Sequence, residues 1–216
     1  MMVQLPKASH RTAVIGSTGT GKTQFMVWLL STRDLNKRPW IILNTKGDEL
    51  LDSLGAKEIN LPNIPKEPGL YIAHPLPHDE TDISQFFYNC WQKENVGILV
   101  DEGYMVPKND KWFTACLTQG RSKHIEMIVG SQRPVFLNKF VWTEASFFAV
   151  FNLTNIDDQK KVGEYLNGTR PKVLPTYHSL WYDVGGQRSD VFGPVPEQEV
   201  LISTFREKLE NRPTKI

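Results

Sequence analysis

The sequence predicts an α/β fold in which helices flank a mostly parallel β-sheet. Short apolar runs, each suited to one buried strand, alternate along the chain with longer runs that have helical periodicity. A glycine-rich loop joins the first apolar run to the first helix, and a later apolar run ends in two adjacent acids. This alternation is typical of consecutive β-α-β units, whose strands lie parallel.

The predicted elements follow one another in chain order. Strands are predicted over Thr12–Ile15, Trp40–Leu43, Leu70–Ala73 (as an edge strand), Val96–Val100, Ile125–Gly130 and Ala145–Leu153. Helices are predicted over Lys22–Ser31, Asp82–Lys93, Lys111–Gln119, Ile156–Leu166 and Glu197–Glu210. The pair Gly185-Gly186 between two short strand-like runs predicts a β-hairpin. We therefore expect a core over residues 1–168 and a C-terminal hairpin and helix, residues 169–216, packed on that core.

Composition limits the classes of function. The chain has 216 residues, and 25 basic against 24 acidic side chains give a formal charge of +1. A protein that coats DNA by bulk electrostatics is usually far more basic, so any contact with DNA must be local. No apolar window is long enough for a membrane span. Cys90 and Cys116 are predicted to be buried free thiols, which is consistent with a reducing cytoplasm.

The glycine-rich loop matches the pattern GxxxxGK[ST]. Its residues are Gly16, Ser17, Thr18, Gly19, Thr20, Gly21, Lys22 and Thr23. Glycines let backbone N–H groups turn towards phosphate oxygens, and the amino end of the following helix adds a positive dipole. We expect Lys22 to reach the β- and γ-phosphates and Thr23 to bind Mg²⁺, which predicts a P-loop NTPase that uses ATP. The alternative is a flexible connection without a ligand.

The acids Asp101 and Glu102 end a wholly apolar run. Carboxylates in that position are costly unless a cation offsets them. We therefore expect Asp101 to hold Mg²⁺ through its water shell and Glu102 to orient and polarise the attacking water. The alternative is a pair of acids that caps a surface turn. Residues 44–48 superficially resemble the guanine-reading Asn-Lys-x-Asp motif, but their spacing and position differ, so a GTPase is not predicted.

Taken together, four segments resemble the FtsK–HerA superfamily of DNA-pumping ATPases, over about Thr12 to Leu153. Residues 44–49, Asn-Thr-Lys-Gly-Asp-Glu, are similar to the Asp-Pro-Lys-Gly-Asp/Glu turn that follows the second strand in that family. The acids at 101–102 match the end of its Walker B strand. Residues 131–134, Ser-Gln-Arg-Pro, are similar to its Thr-Gln-Arg-Pro, and residues 120–122 match its Gly-Arg segment before that strand. The resemblance implies a RecA/FtsK-like sheet.

The resemblance also implies roles for two further side chains. Gln132 would sense the γ-phosphate, and Arg121 would be an arginine finger that completes the site of a neighbouring subunit. The alternatives are a strand-end hydrogen bond for Gln132 and a solvated basic turn for Arg121. The implied catalytic residues are Glu102, Gln132, Arg121 and Lys22.

The chain has almost nothing beyond this core, and in that respect it looks like the compact genome-packaging ATPases of double-jelly-roll viruses with internal membranes. The resemblance implies a ring, hexameric or pentameric, that hydrolyses ATP to move double-stranded DNA into a preformed capsid. It further implies a capsid vertex or membrane protein as partner, in the host cytoplasm or associated with the virion. Two alternatives stay open: a cellular or plasmid FtsK/HerA-like translocase, and a small P-loop nucleotide or metabolite kinase. The paired acids at 101–102 and the lack of an Arg-rich lid argue against the kinase.

Overall fold

The computed structural model describes residues 4–76, 78–166 and 173–211, and it folds them into nine strands and seven α-helices. The strands are β1 (Arg11–Ile15), β2 (Pro39–Leu43), β3 (Lys57–Glu58), β4 (Gly69–Ala73), β5 (Gly97–Val100), β6 (Glu126–Ser131), β7 (Phe147–Val150), β8 (Ser179–Asp183) and β9 (Arg188–Phe192). The helices are α1 (Lys22–Ser31), α2 (Glu49–Asp52), α3 (Glu80–Lys93), α4 (Lys111–Gln119), α5 (Lys139–Thr143), α6 (Ile156–Tyr165) and α7 (Gln198–Glu210).

One sheet contains all the described strands, in the order β3-β4-β2-β5-β6-β1-β7-β8-β9. The strands from β3 to β7 in that order are parallel to their neighbours, and β8 and β9 continue the sheet as antiparallel strands. Parallel strands end at the same edge, so the segments that follow β2, β5, β6 and β1 lie next to one another. These are the segments that carry most of the predicted site.

The side chains of the sheet alternate between two helical layers. In β5, Ile98 and Val100 belong to the core shared with α3, α4, α5 and α6, whereas Leu99 belongs to the core shared with α1, α2 and α7. A sheet that is buried on both faces has strands that are continuous apolar runs, because neither face meets water. This is why strands such as β2, β5 and β7 were recognisable in the sequence as short apolar segments.

Side-chain caps fix the start of several helices. The carboxylate of Asp110 accepts backbone N–H groups at the start of α4, and the amide oxygen of Asn155 does the same for α6. Asp48 caps α2 through the N–H of Leu50. Such caps satisfy N–H groups that have no partner within the helix. The Asp48 cap also shapes the turn that leads from β2 towards the site.

The structure confirms every predicted strand and helix to within a few residues, as well as the hairpin, which is β8 and β9. The prediction that Leu70–Ala73 is an edge strand is wrong, because the two-residue strand β3 lies outside β4. Helices α2 and α5 were not predicted. The predicted boundary at residue 168 lies outside the described residues, so the division into core and extension stays a prediction. Within the described residues, Leu201 and Phe205 of α7 are buried in the core beside α1.

The structure also shows where the two cysteines lie and whether a described helix could span a membrane. Cys90 and Cys116 are buried free cysteines. Among the described residues, no helix combines the length and the apolar character that crossing a bilayer requires.

Candidate active site

The glycine-rich loop lies between the carboxyl end of β1 and the first turn of α1. Gly19 and Gly21 have φ angles of 77° and 94°, in the left-handed region that glycine adopts without strain. The N–H of Gly16 donates to the carbonyl of Ser131 at 3.1 Å, which ties the loop to the end of β6. A glycine-rich loop that leads into a helix in this way presents N–H groups and the helix dipole to an anion.

The carboxylate of Glu102, only 1% exposed, is held by three groups. Its Oε1 accepts a hydrogen bond from Nζ of Lys46 at 2.8 Å and lies 3.4 Å from Nζ of Lys22. Its Oε2 accepts the backbone N–H of Gln132 at 2.9 Å. Two cations and one N–H donor offset the cost of burying the charge. The carboxylate therefore stays ordered next to the lysine of the phosphate-binding loop.

Asp101 is also buried, and it faces the loop from the end of β5. The hydroxyl of Thr23 donates to Oδ1 of Asp101 at 3.2 Å. The pKa of Asp101 is raised to about 6, chiefly by burial and also by the nearby charges of Glu102 and Asp48, although Lys22 and the Thr23 hydrogen bond act to lower it. A carboxylate with this unfavourable environment gains from a cation. Because Mg²⁺ prefers carboxylate and hydroxyl oxygens, the residues present fit a magnesium ion.

The side chain of Gln132 connects the loop to the segment after β5. Its Oε1 accepts a hydrogen bond from the hydroxyl of Thr18, and its Nε2 donates to the hydroxyl of Tyr104 at 3.2 Å. Gln132 thus contacts the loop through its side chain and Glu102 through its backbone. This arrangement places an amide that can hydrogen-bond a phosphate oxygen beside the acid.

Lys46 belongs to the site although the sequence analysis gave it no role of its own. It lies in the turn after β2, which Asn44 organises by hydrogen bonds with the backbone N–H (2.8 Å) and carbonyl (3.1 Å) of Asp48. The amide of Asn44 also donates to Asp52 at 2.8 Å. The signal for Lys46 was present in the family-like segment 44–49, but only the adjacency of β2 and β5 shows that its ammonium reaches Glu102. Tyr104 reaches Gln132 in a similar way, because β5 lies beside β6.

Arg121 lies at the opposite edge of the sheet. It is in the loop before β6 and lines a cavity of about 620 Å³ together with Arg11, at the start of β1, and Ser146, just before β7. The phosphate-binding loop follows the other end of β1. Within one subunit the length of the sheet therefore separates Arg121 from a bound phosphate, and the structure does not bring it to the rest of the predicted site.

Most of the remaining predicted groups line a single cleft of about 350 Å³, which we call the phosphate cleft; Gly16, Ser17 and Thr20 of the loop are not among its lining residues. Its lining includes residues of the glycine-rich loop, the turn after β2, both acids at the end of β5, and Gln132. Tyr177, from the segment before β8, lines it as well and was not predicted. A volume of this size falls in the range of small-molecule sites, about 300–1,000 Å³, and the cation Lys22 suits a polyphosphate.

The parallel sheet, the glycine-rich loop and the buried acid pair define a P-loop NTPase. The chain belongs to the family of DNA packaging ATPases that includes P9 of Enterobacteria phage PRD1. The two proteins are 41% identical over 217 residues, which cover 95% of this chain and 96% of P9. A scan against protein-family models gave no match.

Solved structures show the same fold at low sequence identity. The genome packaging NTPase B204 of Sulfolobus turreted icosahedral virus 2, in complex with sulfate, superimposes with a TM-score of 0.75 at 17% identity, and the match covers 89% of this chain and all of B204 (100%). Its complex with AMPPCP gives a TM-score of 0.71 at 18% identity, covering 87% and 98%. The cytoplasmic domain of the type VII secretion ATPase EccC of Thermomonospora curvata gives 0.64 at 15% identity, covering 87% of this chain and 24% of EccC.

Proposed function

We propose that this chain is an ATP-hydrolysing motor that translocates double-stranded DNA into a viral capsid. Membership of the family that includes the DNA packaging ATPase of phage PRD1 supports this task. The position of Glu102 is the observation that supports ATP hydrolysis. Its buried carboxylate is fixed by Lys46 and by the N–H of Gln132, and it lies 3.4 Å from the ammonium of Lys22.

The roles of the residues follow from these contacts. The loop N–H groups and Lys22 would bind the β- and γ-phosphates, so a bound triphosphate would draw Lys22 away from Glu102. Thr23 and Asp101 would hold Mg²⁺, which neutralises charge on the phosphates. Glu102 would then orient the attacking water and accept its proton. Gln132, already hydrogen-bonded to the loop through Thr18, would respond to the γ-phosphate.

The position of Arg121 supports a ring. Because the sheet separates Arg121 from the loop of its own subunit, an arginine finger at this position can serve only a neighbouring subunit. A head-to-tail contact that pairs one edge of a subunit with the opposite edge of the next generates a closed ring when the rotation closes. We propose a hexameric or pentameric ring around double-stranded DNA, in the host cytoplasm or at a capsid vertex. With a net charge of +1, such a ring would contact DNA through few side chains.

The experiment measures ATP turnover by the purified chain with and without double-stranded DNA, and the displacement of a third strand from a DNA triplex. We expect hydrolysis without any phosphate acceptor, stimulation by duplex DNA, and triplex displacement that requires ATP. Lys22→Ala should abolish all three, whereas Lys37→Met, at a side chain that is 77% exposed, should change none of them. Transfer of phosphate to a nucleotide or metabolite with little hydrolysis would instead identify a kinase. Hydrolysis without any effect of DNA would remove translocation from the proposal.

A further inference from the structure

A second cavity lies next to the phosphate cleft, beside α1, and we call it the side cavity. It has a volume of about 190 Å³. Its apolar walls are Phe25, Phe151, Pro194 and Val195. The side cavity and the phosphate cleft share the lining residues Gly21, Gln24, Tyr177 and Gln198. The two spaces therefore lie side by side, and a ligand that extends from one to the other would contact these four residues.

The ring of Tyr177 lies at the junction of the two spaces, on a strained turn. The N–H of His178 donates to the carbonyl of Pro175 at 3.1 Å and closes the turn, in which Tyr177 has a φ of 60°. Glycine or asparagine normally takes this position, since a larger side chain is strained there. Tyr177 is 54% exposed, so its ring does not fill the core. Strain kept at an exposed aromatic residue beside a cleft indicates a binding role.

The two chain segments that supply the walls of the side cavity are tied to the phosphate-binding loop or to the first turn of α1. The side chain of Asn152 accepts the N–H of Leu174 at 2.8 Å and donates to the carbonyl of Leu174 at 2.8 Å. The backbone carbonyl of the same Asn152 accepts the N–H of Ser17 at 3.1 Å. On the other wall, the amide of Gln24 donates to the carbonyl of Pro196 at 2.7 Å. The loop and the two walls therefore form one preorganised unit.

The direction of a bound nucleotide decides what the side cavity holds. Lys22 and Glu102 mark the γ-phosphate end, and Glu102 does not line the side cavity. The sugar and base must then leave the loop at the other end of the triphosphate. The Tyr177 ring lies next to Gly21 of the loop, because a Cβ added to Gly21 would be 3.1 Å from Cδ1 of Tyr177. The side cavity is thus the space that lies next to the loop on that side.

We propose that the side cavity is the subsite for the purine base of the nucleotide and that Tyr177 stacks on that base. This inference rests on the ATPase function proposed above. Apolar walls and an aromatic ring suit the faces of a base, and the amides of Gln24 and Gln198 suit its polar edge. Stacking on an aromatic side chain is worth on the order of a 10-fold gain in affinity.

The test compares ATP with inorganic tripolyphosphate, which has the phosphates but no base. Tyr177→Gly removes the ring, and glycine suits the positive φ, so the variant should keep its fold. Tyr177→Phe keeps the ring and is the matched control. Calorimetry with Mg²⁺ should show that Tyr177→Gly binds ATP on the order of 10-fold more weakly than the wild type and binds tripolyphosphate equally well. Tyr177→Phe should bind both ligands as the wild type does.

The outcomes separate this subsite from the proposed function. Equal affinity of the wild type and Tyr177→Gly for ATP would overturn the base subsite while the ATPase proposal stands. A parallel loss of affinity for ATP and tripolyphosphate would also overturn it, because it would show a damaged phosphate-binding loop. Failure of the wild type to bind either ligand would overturn the proposed function itself.

Discussion

The ammonium of Lys46 lies 2.8 Å from Oε1 of Glu102, closer than the 3.4 Å between the same oxygen and the ammonium of Lys22. The two lysines come from different elements, the turn after β2 and the phosphate-binding loop. A triphosphate would recruit Lys22, so we expect Lys46 to be the cation that stays with Glu102 during a catalytic cycle. We infer that Lys46 positions Glu102 and does so without being a main phosphate ligand.

Replacing Lys46 should therefore affect turnover more than affinity. We expect Lys46→Met to lower kcat for ATP hydrolysis by about 10-fold or more, since the benefit of a positioned base is about 10²–10⁴ and part of it would remain. Steady-state kinetics should show little change in KM, and Lys46→Arg should recover part of the lost kcat. The exposed-lysine variant Lys37→Met is the control and should match the wild type. A raised KM with unchanged kcat would instead make Lys46 a phosphate ligand.

The two acids at the end of β5 should have distinct roles. Glu102→Gln should lower kcat by about 10²–10⁴ and bind Mg²⁺·ATP at least as tightly as the wild type, because Lys22 no longer has a competing carboxylate. Asp101→Asn should lose much of the Mg²⁺-dependent part of its ATP affinity, because the negative charge that attracts Mg²⁺ and its bound water is lost. Binding titrations with and without Mg²⁺ distinguish the two variants. An equal loss of ATP binding in both would contradict the assigned roles.

The raised pKa of Asp101 has a consequence for stability in the absence of nucleotide and metal. The folded protein binds this proton up to about pH 6, whereas the unfolded chain releases it near pH 4. The stabilising contribution of the protonated Asp101 is therefore full below about pH 4 and is lost as the pH rises through about 6. The wild type should lose unfolding free energy relative to Asp101→Asn over this window, as measured by urea denaturation. A difference that does not vary with pH would be incompatible with the raised pKa.

How much of the fold could be predicted depended on the burial of each element. The strands β1, β2 and β5 are buried on both faces, so they are apolar runs that the sequence displays directly. Strand β3 has only two residues, Lys57 and Glu58, both exposed, and no pattern of that length is recognisable. Its absence from the prediction is also the reason that β4 was wrongly expected at the edge of the sheet.

The candidate site could be predicted where chemistry and spacing are local. The loop residues and the pair Asp101 and Glu102 are contiguous motifs, and the structure brings both acids and most of the loop residues together around the phosphate cleft. Lys46 and Tyr177 were missed because their places depend on which strands are neighbours. Lys46 reaches Glu102 only because β2 lies beside β5, and Tyr177 reaches Gly21 only because β8 pairs with β7. Sequence order does not contain those pairings.

The contact between β2 and β5 gives a prediction about stability. A Cβ added to Gly97 would overlap Cδ2 and Cε2 of the buried Trp40 ring on the neighbouring strand. We expect Gly97→Ala to lower the free energy of unfolding by about 1–3 kcal/mol, as overpacking does. The matched control is Gly163→Ala in α6, where an added Cβ meets nothing within 4 Å. That variant should gain about 0.5–1 kcal/mol from the helix preference of alanine, and denaturation curves that show equal effects would contradict the packing argument.

The last prediction tests the ring through Arg121. Since Arg121 lies at the edge of the sheet opposite the loop, the proposed arginine finger would have to act on the nucleotide of a neighbouring subunit. Arg121→Ala and Lys22→Ala should each be nearly inactive alone, because loss of a finger costs about 10³–10⁵ in rate. Mixing them should restore hydrolysis, since a mixed ring contains interfaces where an intact loop meets an intact arginine. The specific activity of the wild type should also rise steeply with protein concentration. If no mixing ratio restored activity, Arg121 would not act between subunits. The proposal of ATP hydrolysis would be unaffected, but the main structural argument for a ring around DNA would be lost.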